Sequence, residues 1–253
     1  IVSSISTIYF LCEITKLTIG FPLLNETIFS LFFKSLKSIS FHKRDLIFET
    51  KGDEKNYAKI IQNRIIALAS DINFSVNIIK CFLNCLPKSL VSELVIDIFS
   101  DFKINLDRIV GECKAVLLAS YQERVNDSIL DLVKIDFSNY PNPETGVNKH
   151  LRVVHLLNNF YTNCLNTFEL NDVSEIFTTL LKNYIEGFEK IIIPASQMDN
   201  EISQKLFKQD MLHLKKCISN FELIETSVFK DKIDAINKAV LPAKFLMKKK
   251  KIK

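Results

Sequence analysis

The chain of 253 residues contains only five glycines and six prolines, and it has no tryptophan. Glycine is the residue that most readily adopts a positive φ, so this shortage leaves little scope for tight turns or phosphate-binding loops. Most of the prolines separate apolar periodic stretches, and helices usually end at such positions. These absences predict a chain built of long helices and disfavour an enzyme that depends on a loop motif.

The composition that remains is typical of a globular protein. Hydrophobic residues make up 47 % of the chain and charged residues 25 %, and twenty phenylalanines supply material for a core. The length suits one large domain or two small ones. The net charge of +4 is equal to the contribution of Lys248–Lys251, so the rest of the chain is balanced. This balance argues against a nucleic-acid-binding surface.

The first residues carry no recognisable targeting signal. The charge-free run Ile1–Cys12 is too short to cross a bilayer and is followed by Glu13. It also lacks the basic start and the cleavage site of a signal peptide. The chain does not begin with Met, and its helical pattern is already under way at Ile1. We therefore expect a fragment of a longer, cytosolic protein.

Apolar residues recur with helical periodicity along almost the whole chain, which predicts an all-α fold. Asn25 is a candidate N-cap, and Ser89 is the predicted first residue of the longest helix. Residues 42–53 form a polar hinge, and residues 138–146 form a loop. The predicted helices are 5–21, 25–39, 57–86, 89–137, 147–168, 171–193, 200–221 and 227–240.

The helices 57–86 and 89–137 are predicted to be much longer than the rest and to pack antiparallel. Such lengths favour an elongated rod of antiparallel helix bundles rather than one globule. We expect a single domain over 1–246, with sub-bundles 1–138 and 147–246, and a basic tail over 247–253. One stripe of the longest helix is predicted to be buried, namely Leu94, Ile98, Phe102, Leu106 and Ile109.

No residue pattern predicts a catalytic, cofactor-binding or metal site. His150 and His155 are five residues apart, which is not the i,i+4 spacing of two ligands on one helix face. Cys81 and Cys85 lack the second half of a zinc motif. We expect all six cysteines to be reduced and buried in apolar stretches, and no metal to copurify; they are Cys12, Cys81, Cys85, Cys113, Cys164 and Cys217.

The basic tail has two interpretations. Its lysines are a candidate contact with an anionic membrane, where each would contribute about 1 kcal/mol. Alternatively, the tail is a frayed and solvated terminus, which is the commoner case. The residues concerned are Lys248, Lys249, Lys250, Lys251 and Lys253.

One stretch carries a resemblance to a known family. In residues 60–87, the run Ala67-Leu68-Ala69-Ser70, the apolar spacing after it and the closing Leu86-Pro87 resemble a leucine-alanine-serine helix of the Vps-fifty-four family. This helix lies in the C-terminal half of that subunit of the Golgi-associated retrograde protein (GARP) complex. The neighbouring helices and the loop Tyr140–Pro143 follow the order of the family. The sequence departs from the family at residues 167–169.

The resemblance implies a non-catalytic helical-rod domain of a vesicle-tethering subunit. It would act in retrograde transport from endosomes to the trans-Golgi network, as a peripheral protein on those membranes. Expected partners are the other subunits of the tethering complex, endosomal membrane, SNAREs and small GTPases. A coiled coil ahead of Ile1 would support this interpretation.

Other functions stay open at the level of the sequence. Vps-fifty-three, exocyst and conserved oligomeric Golgi subunits share the helical-rod plan, so the chain could belong to any of these. A helical scaffold or solenoid that binds proteins in a groove is the alternative of a different class, although no repeat of fixed period is present. A basic nucleic-acid adaptor is a third hypothesis, which salt-sensitive binding to RNA or DNA would support.

Overall fold

A computed structural model describes residues 2–49, 57–133, 149–195 and 201–239, with side chains over 7–49, 60–131, 153–190 and 204–239. These ranges form eight α-helices and one 3₁₀ turn, Pro22–Leu24, without any strand, which confirms the predicted all-α fold. The helices are α1 (Val2–Gly20), α2 (Asn25–Phe48), α3 (Tyr57–Cys85), α4 (Glu93–Val133), α5 (Lys149–Leu165), α6 (Leu170–Ala195), α7 (Glu201–Ile218) and α8 (Ser227–Ala239).

The predicted N-cap Asn25 and the predicted helix start Ser89 are both wrong. Leu24 precedes α2, and the side-chain amide of Asn25 donates to the carbonyl of Leu90 instead of capping its own helix. The hydroxyl of Ser92, not of Ser89, accepts from the backbone N–H of Val95 at 3.4 Å and so begins α4. A tertiary contact therefore decides the role of Asn25, and a local sequence pattern could not reveal it.

The predicted polar hinge is wrong where the structure describes it, because α2 continues to Phe48. In this last part of α2 the guanidinium of Arg44 contacts Glu112 on α4 at 2.8 Å and Asp45 at 2.7 Å. The polar residues thus take part in contacts between helices. Residues 50–53 of the hinge and the predicted loop 138–146 lie outside the described residues.

Helix α4 is the longest described helix, with 41 residues, as the sequence predicts. Helix α3, with 29 residues, is only slightly longer than α6, with 26, so the prediction of two exceptional helices is half wrong. Within α4 the buried stripe contains Phe102, Leu106 and Ile109 as expected. It begins at Val95, which is fully buried, whereas Leu94 is 49 % exposed.

Contacts divide the chain into two compact units, Ile1–Leu117 with Asn166–Phe168, and Leu118–Leu165 with Glu169–Lys253. The boundary lies within α4, whereas the predicted sub-bundles 1–138 and 147–246 meet at the loop after that helix. The predicted domain bounds and the rod stay predictions.

In the first unit, α2 and α4 run parallel and share an aromatic core. Three contacts set the direction, because Asn25, Phe33 and Arg44 of α2 meet successively later residues, namely Leu90, Phe102 and Glu112. The ring of Phe33 lies 5.1 Å from that of Phe102, centroid to centroid, and contacts those of Phe29, Phe32 and Phe99. Burial of these rings supplies much of the hydrophobic stabilisation of this unit.

In the second unit, the C-terminal part of α4 packs against α5 and α6. The ring of Tyr121 stacks on that of Phe160 at 3.7 Å. A Cβ added at Gly187 of α6 would lie 2.5 Å from Cδ1 of Ile129, so glycine allows this close approach. Helices α5 and α7 contact each other, as do α6 and α8 and α7 and α8. The aromatic core is completed by Tyr161, Phe177, Tyr184, Phe188 and Phe221.

The expectation that all six cysteines are buried is wrong for half of them. Cys113, Cys164 and Cys217 are buried, but Cys12, Cys81 and Cys85 are exposed on α1 and α3. An apolar stretch of a helix continues past the edge of its buried face, so cysteines at that edge meet solvent. All six are free thiols in the structure.

Candidate functional site

The lysines that the sequence offers as a membrane contact, Lys248–Lys251 and Lys253, lie outside the described residues. Membrane-like character is nevertheless present elsewhere. Within the described residues, Ile60–Cys85 is long and apolar enough to cross a membrane, and a bent pair, Thr7–Gly20 with Pro22–Phe48, would be a second such span. Core helices of soluble proteins have the same length and composition, so this is weak evidence for a span.

Helix α1 is apolar on most of its surface, unlike an ordinary amphipathic helix, which is polar on the side that faces solvent. Its buried stripe contains two polar residues, Thr7 and Thr18, together with Leu11 and Ile14. Large apolar side chains make up most of its exposed surface, and we call this set the α1 apolar face; it consists of Ile8, Tyr9, Phe10, Leu17 and Ile19, each 44–68 % exposed. Exposed apolar residues that occur singly are normal, but a set of five on one helix is typical of an interaction surface.

The 3₁₀ turn after α1 extends the exposed apolar surface along the chain. Phe21 and Leu24 are more than half exposed, and Leu23 is 99 % exposed. The charges on α1 in this region belong to Glu13 and Lys16, which pair with each other at 2.7 Å. The pair is exposed and therefore contributes little to stability. The surface as a whole is apolar with one local ion pair.

A cleft of about 220 Å³ lies within the first unit, among α1, α2, α3 and α4. Apolar side chains dominate its lining, and Lys43 and Asp71 add one charge of each sign. The apolar lining residues include Phe10, Leu36, Ile39, Leu68, Ile72 and Phe102. This volume is smaller than that of a drug-sized ligand site but would hold one or two side chains of a bound peptide.

In the second unit, three potential metal ligands come together on α5 and α7. His155 projects from α5, and His213 and Cys217 lie one turn apart on α7. One ligand atom of each residue lies within 4.8 Å of those of the other two. The two imidazole rings are 5.7 Å apart, centroid to centroid, at an angle of 54°. Both histidines are exposed, whereas Cys217 is buried.

The packing of α5 on α7 explains why these three residues meet. Val154, Leu157 and Cys164 of α5 are buried, as are Met211, Leu214 and Ile218 of α7. The amide of Asn158, on the same helix as His155, donates to the backbone carbonyl of Cys217 at 3.4 Å. His155 lies beside His213, and Asn158, which is later in α5, lies beside Cys217, which is later in α7. The two helices therefore run parallel.

Burial raises the pKa of three thiols. For Cys113 and Cys164 the pKa rises to about 12, and for Cys217 it rises by the same cause. The nucleophile in cysteine chemistry is the thiolate, so these groups are protonated and unreactive at neutral pH in the absence of a metal. Covalent catalysis by a buried cysteine is therefore disfavoured.

The histidine–cysteine cluster is not predicted from the sequence. The nearest histidine to His155 along the chain is His150, and the spacing of that pair does not suit two ligands on one helix face. The useful signal was the i,i+4 spacing of His213 and Cys217, which places two ligands on one face of a helix. The third ligand could not have been assigned, because it comes from a helix 58 residues earlier in the chain.

No protein-family model, no curated protein and no solved structure matches the chain. The resemblance to tethering subunits therefore has only the residues of the sequence as its support.

Proposed function

We propose that the chain is a non-catalytic domain of a vesicle-tethering complex subunit that binds other subunits of its complex through the α1 apolar face. In this role it would help to place the complex on endosomal and trans-Golgi membranes during retrograde transport. The resemblance to the Vps-fifty-four family supports the class of protein. The observation that carries the binding role is the exposed apolar surface of α1, which lies outside its buried stripe of Thr7, Leu11, Ile14 and Thr18.

The energetics of α1 favour a covered state. Burying the exposed half of an aliphatic or aromatic side chain contributes about 1 kcal/mol, so five such residues would make a substantial core for an interface. Thr7 is already paired in the first unit, with its hydroxyl 3.2 Å from that of Ser75 on α3. The buried side of α1 is thus occupied, and the apolar side is the one available to a partner.

A helix of another subunit fits this surface better than a lipid bilayer does. A protein partner can pair with the charges of Glu13 and Lys16, which lie among the exposed apolar residues of α1, whereas the apolar core of a bilayer cannot. An amphipathic helix would lie along α1 and present its own apolar residues at helical spacing. Helical-rod tethering subunits consist largely of such helices.

Charge substitutions on the α1 apolar face test this proposal. We expect Tyr9→Lys with Ile19→Lys, placed in the full-length parent protein, to abolish coprecipitation of the other complex subunits and to disperse the protein from its membranes. Both side chains are more than 60 % exposed, so the fold should be retained. The matched control is Asn63→Lys with Asn77→Lys, at exposed polar positions of α3. Equal coprecipitation of both double variants would contradict the proposal.

The cleft favours the alternative of a protein-binding module that accepts an extended or helical peptide. Ile39 lines the cleft and is 44 % exposed, so Ile39→Trp would fill the space without removing a core side chain. If the cleft is the binding site, Ile39→Trp abolishes partner binding and the α1 substitutions leave it intact. The opposite result supports binding through the α1 apolar face.

A further inference from the structure

We propose that His155, His213 and Cys217 form a zinc site that joins α5 to α7. The inference is independent of the tethering role, because it depends only on side chains of the second unit. It assigns a metal to a chain whose sequence predicts none.

The arrangement needs only small movements to become a coordination sphere. In a tetrahedral site with zinc–ligand bonds of about 2.0–2.3 Å, the ligand atoms lie about 3.3–3.8 Å from one another. In the structure the three ligand atoms lie within 4.8 Å of one another, so they must approach by about 1 Å. Both histidines are exposed, and their rings can make this adjustment by rotation about their side-chain bonds.

The donor set selects the class of metal. Two imidazoles and one thiolate suit zinc, whereas magnesium and calcium prefer oxygen ligands. Three protein ligands leave the fourth tetrahedral position to a water molecule. The exposure of His155 and His213 provides a path by which the ion and this water can enter. Cys217 would lose its proton to the solvent as it binds.

A buried oxygen atom next to the site, in the side chain of Asn158, has no hydrogen-bond partner among the described residues. The carboxamide of Asn158 reaches the backbone of Cys217 through its nitrogen, while its oxygen is buried without a hydrogen-bond partner among the described residues. A buried unsatisfied oxygen in a native protein usually has a water or an ion nearby. Water on the zinc could donate to this oxygen, as groups around metal sites commonly do.

The position of the site would let a bound metal link two helices. Helices α5 and α7 are separated in the chain by the whole of α6, and their contact depends on packing and on the Asn158 hydrogen bond. A metal with ligands on both helices would hold them together. Binding to the folded chain only would raise the melting midpoint by roughly 5 °C at a zinc concentration one hundred times the Kd.

The test uses the full chain with Cys12→Ser, Cys81→Ser and Cys85→Ser, which removes the three exposed thiols that could bind zinc on their own. Zinc affinity is measured by competition with a chromophoric chelator, and Co²⁺ serves as the spectroscopic probe. We expect one metal per chain, a thiolate-to-cobalt charge-transfer band, and the rise in melting midpoint. Each of His155→Ala, His213→Ala and Cys217→Ser should weaken binding at least tenfold.

The control variant is His42→Ala, an exposed histidine on α2 in the first unit, which should leave the affinity unchanged. Because His155 and His213 are exposed, their alanine variants keep the fold, and circular dichroism checks this. Metal binding that survives Cys217→Ser without loss, or a cobalt complex without a thiolate band, would overturn the proposal. A Kd weaker than about 1 mM would also overturn it. So would a loss of zinc affinity in His42→Ala as large as that in the ligand variants, because both results indicate adventitious binding to surface histidines.

Discussion

At the scale of single residues, the buried thiols make stability depend on pH in the alkaline range. The pKa of Cys113 is raised to about 12 by burial, whereas an unfolded cysteine ionises near pH 8.5. Between these values the folded chain holds a proton that the unfolded chain releases. The free energy of unfolding therefore falls as pH rises, by up to about 1.4 kcal/mol per pH unit for each such thiol. The same argument applies to Cys164.

Urea unfolding of wild type and Cys113→Ala at pH 7.5, 8.5, 9.5 and 10 measures this effect. We expect the free energies of unfolding of the two proteins to change in parallel up to about pH 8. Above that pH, the free energy of unfolding of the wild type should fall more steeply. Cys81→Ala, which removes an exposed thiol, is the matched control and should keep the slope of the wild type. A slope in Cys113→Ala as steep as that of the wild type would contradict the assignment.

At the scale of the element, the buried stripe of α4 is predicted correctly at Phe102, Leu106 and Ile109 but begins at Val95 instead of Leu94. Phe102 is 3 % exposed and its ring contacts those of Phe33 and Phe99, whereas Leu94 is 49 % exposed. Phe102→Ala should therefore lower the free energy of unfolding by about 3–5 kcal/mol, because it leaves a cavity among these rings. Leu94→Ala should cost less than about 1 kcal/mol.

Guanidinium denaturation of the two alanine variants, with Val95→Ala as a third, tests this assignment of the face. Val95 is fully buried, so its truncation should cost more than that of Leu94 despite its smaller side chain. If Leu94→Ala proved as destabilising as Phe102→Ala, the buried face of α4 would have to be rotated by one residue at its start.

The parts of the fold that the sequence could predict are those that depend on local periodicity. The helices and the separators Pro22 and Pro87 follow from apolar spacing and from the missing N–H of proline. Asn25, Arg44 and Ser92 could not be assigned, because their roles depend on contacts or starts that only the packed helices define. The histidine–cysteine cluster was missed for the same reason, since α5 and α7 meet only in the folded chain.

The α1 apolar face shows a different limit of sequence analysis. The structure buries Thr7, Leu11, Ile14 and Thr18 of α1 and exposes five other apolar residues, among them Tyr9 and Ile19. Apolar residues occur all round this helix, so a pattern of apolar positions cannot distinguish the side that meets the first unit from the side that meets a partner.

At the scale of the whole molecule, the net positive charge comes from the last residues of the chain. The net charge is +4, and deletion of residues 248–253 removes five lysines and makes the chain slightly acidic. If this tail contacts an anionic membrane, each lysine contributes about 1 kcal/mol at low salt, and the attraction decays within a Debye length of about 8–10 Å.

The intact chain should therefore float with vesicles that contain phosphatidylserine, and the deletion should reduce its partition at least tenfold. Raising the salt concentration should weaken binding of the intact chain but not of the truncated one, and replacing the lysines by glutamine should reproduce the deletion. Equal and salt-insensitive flotation of both forms would instead assign the tail to solvent.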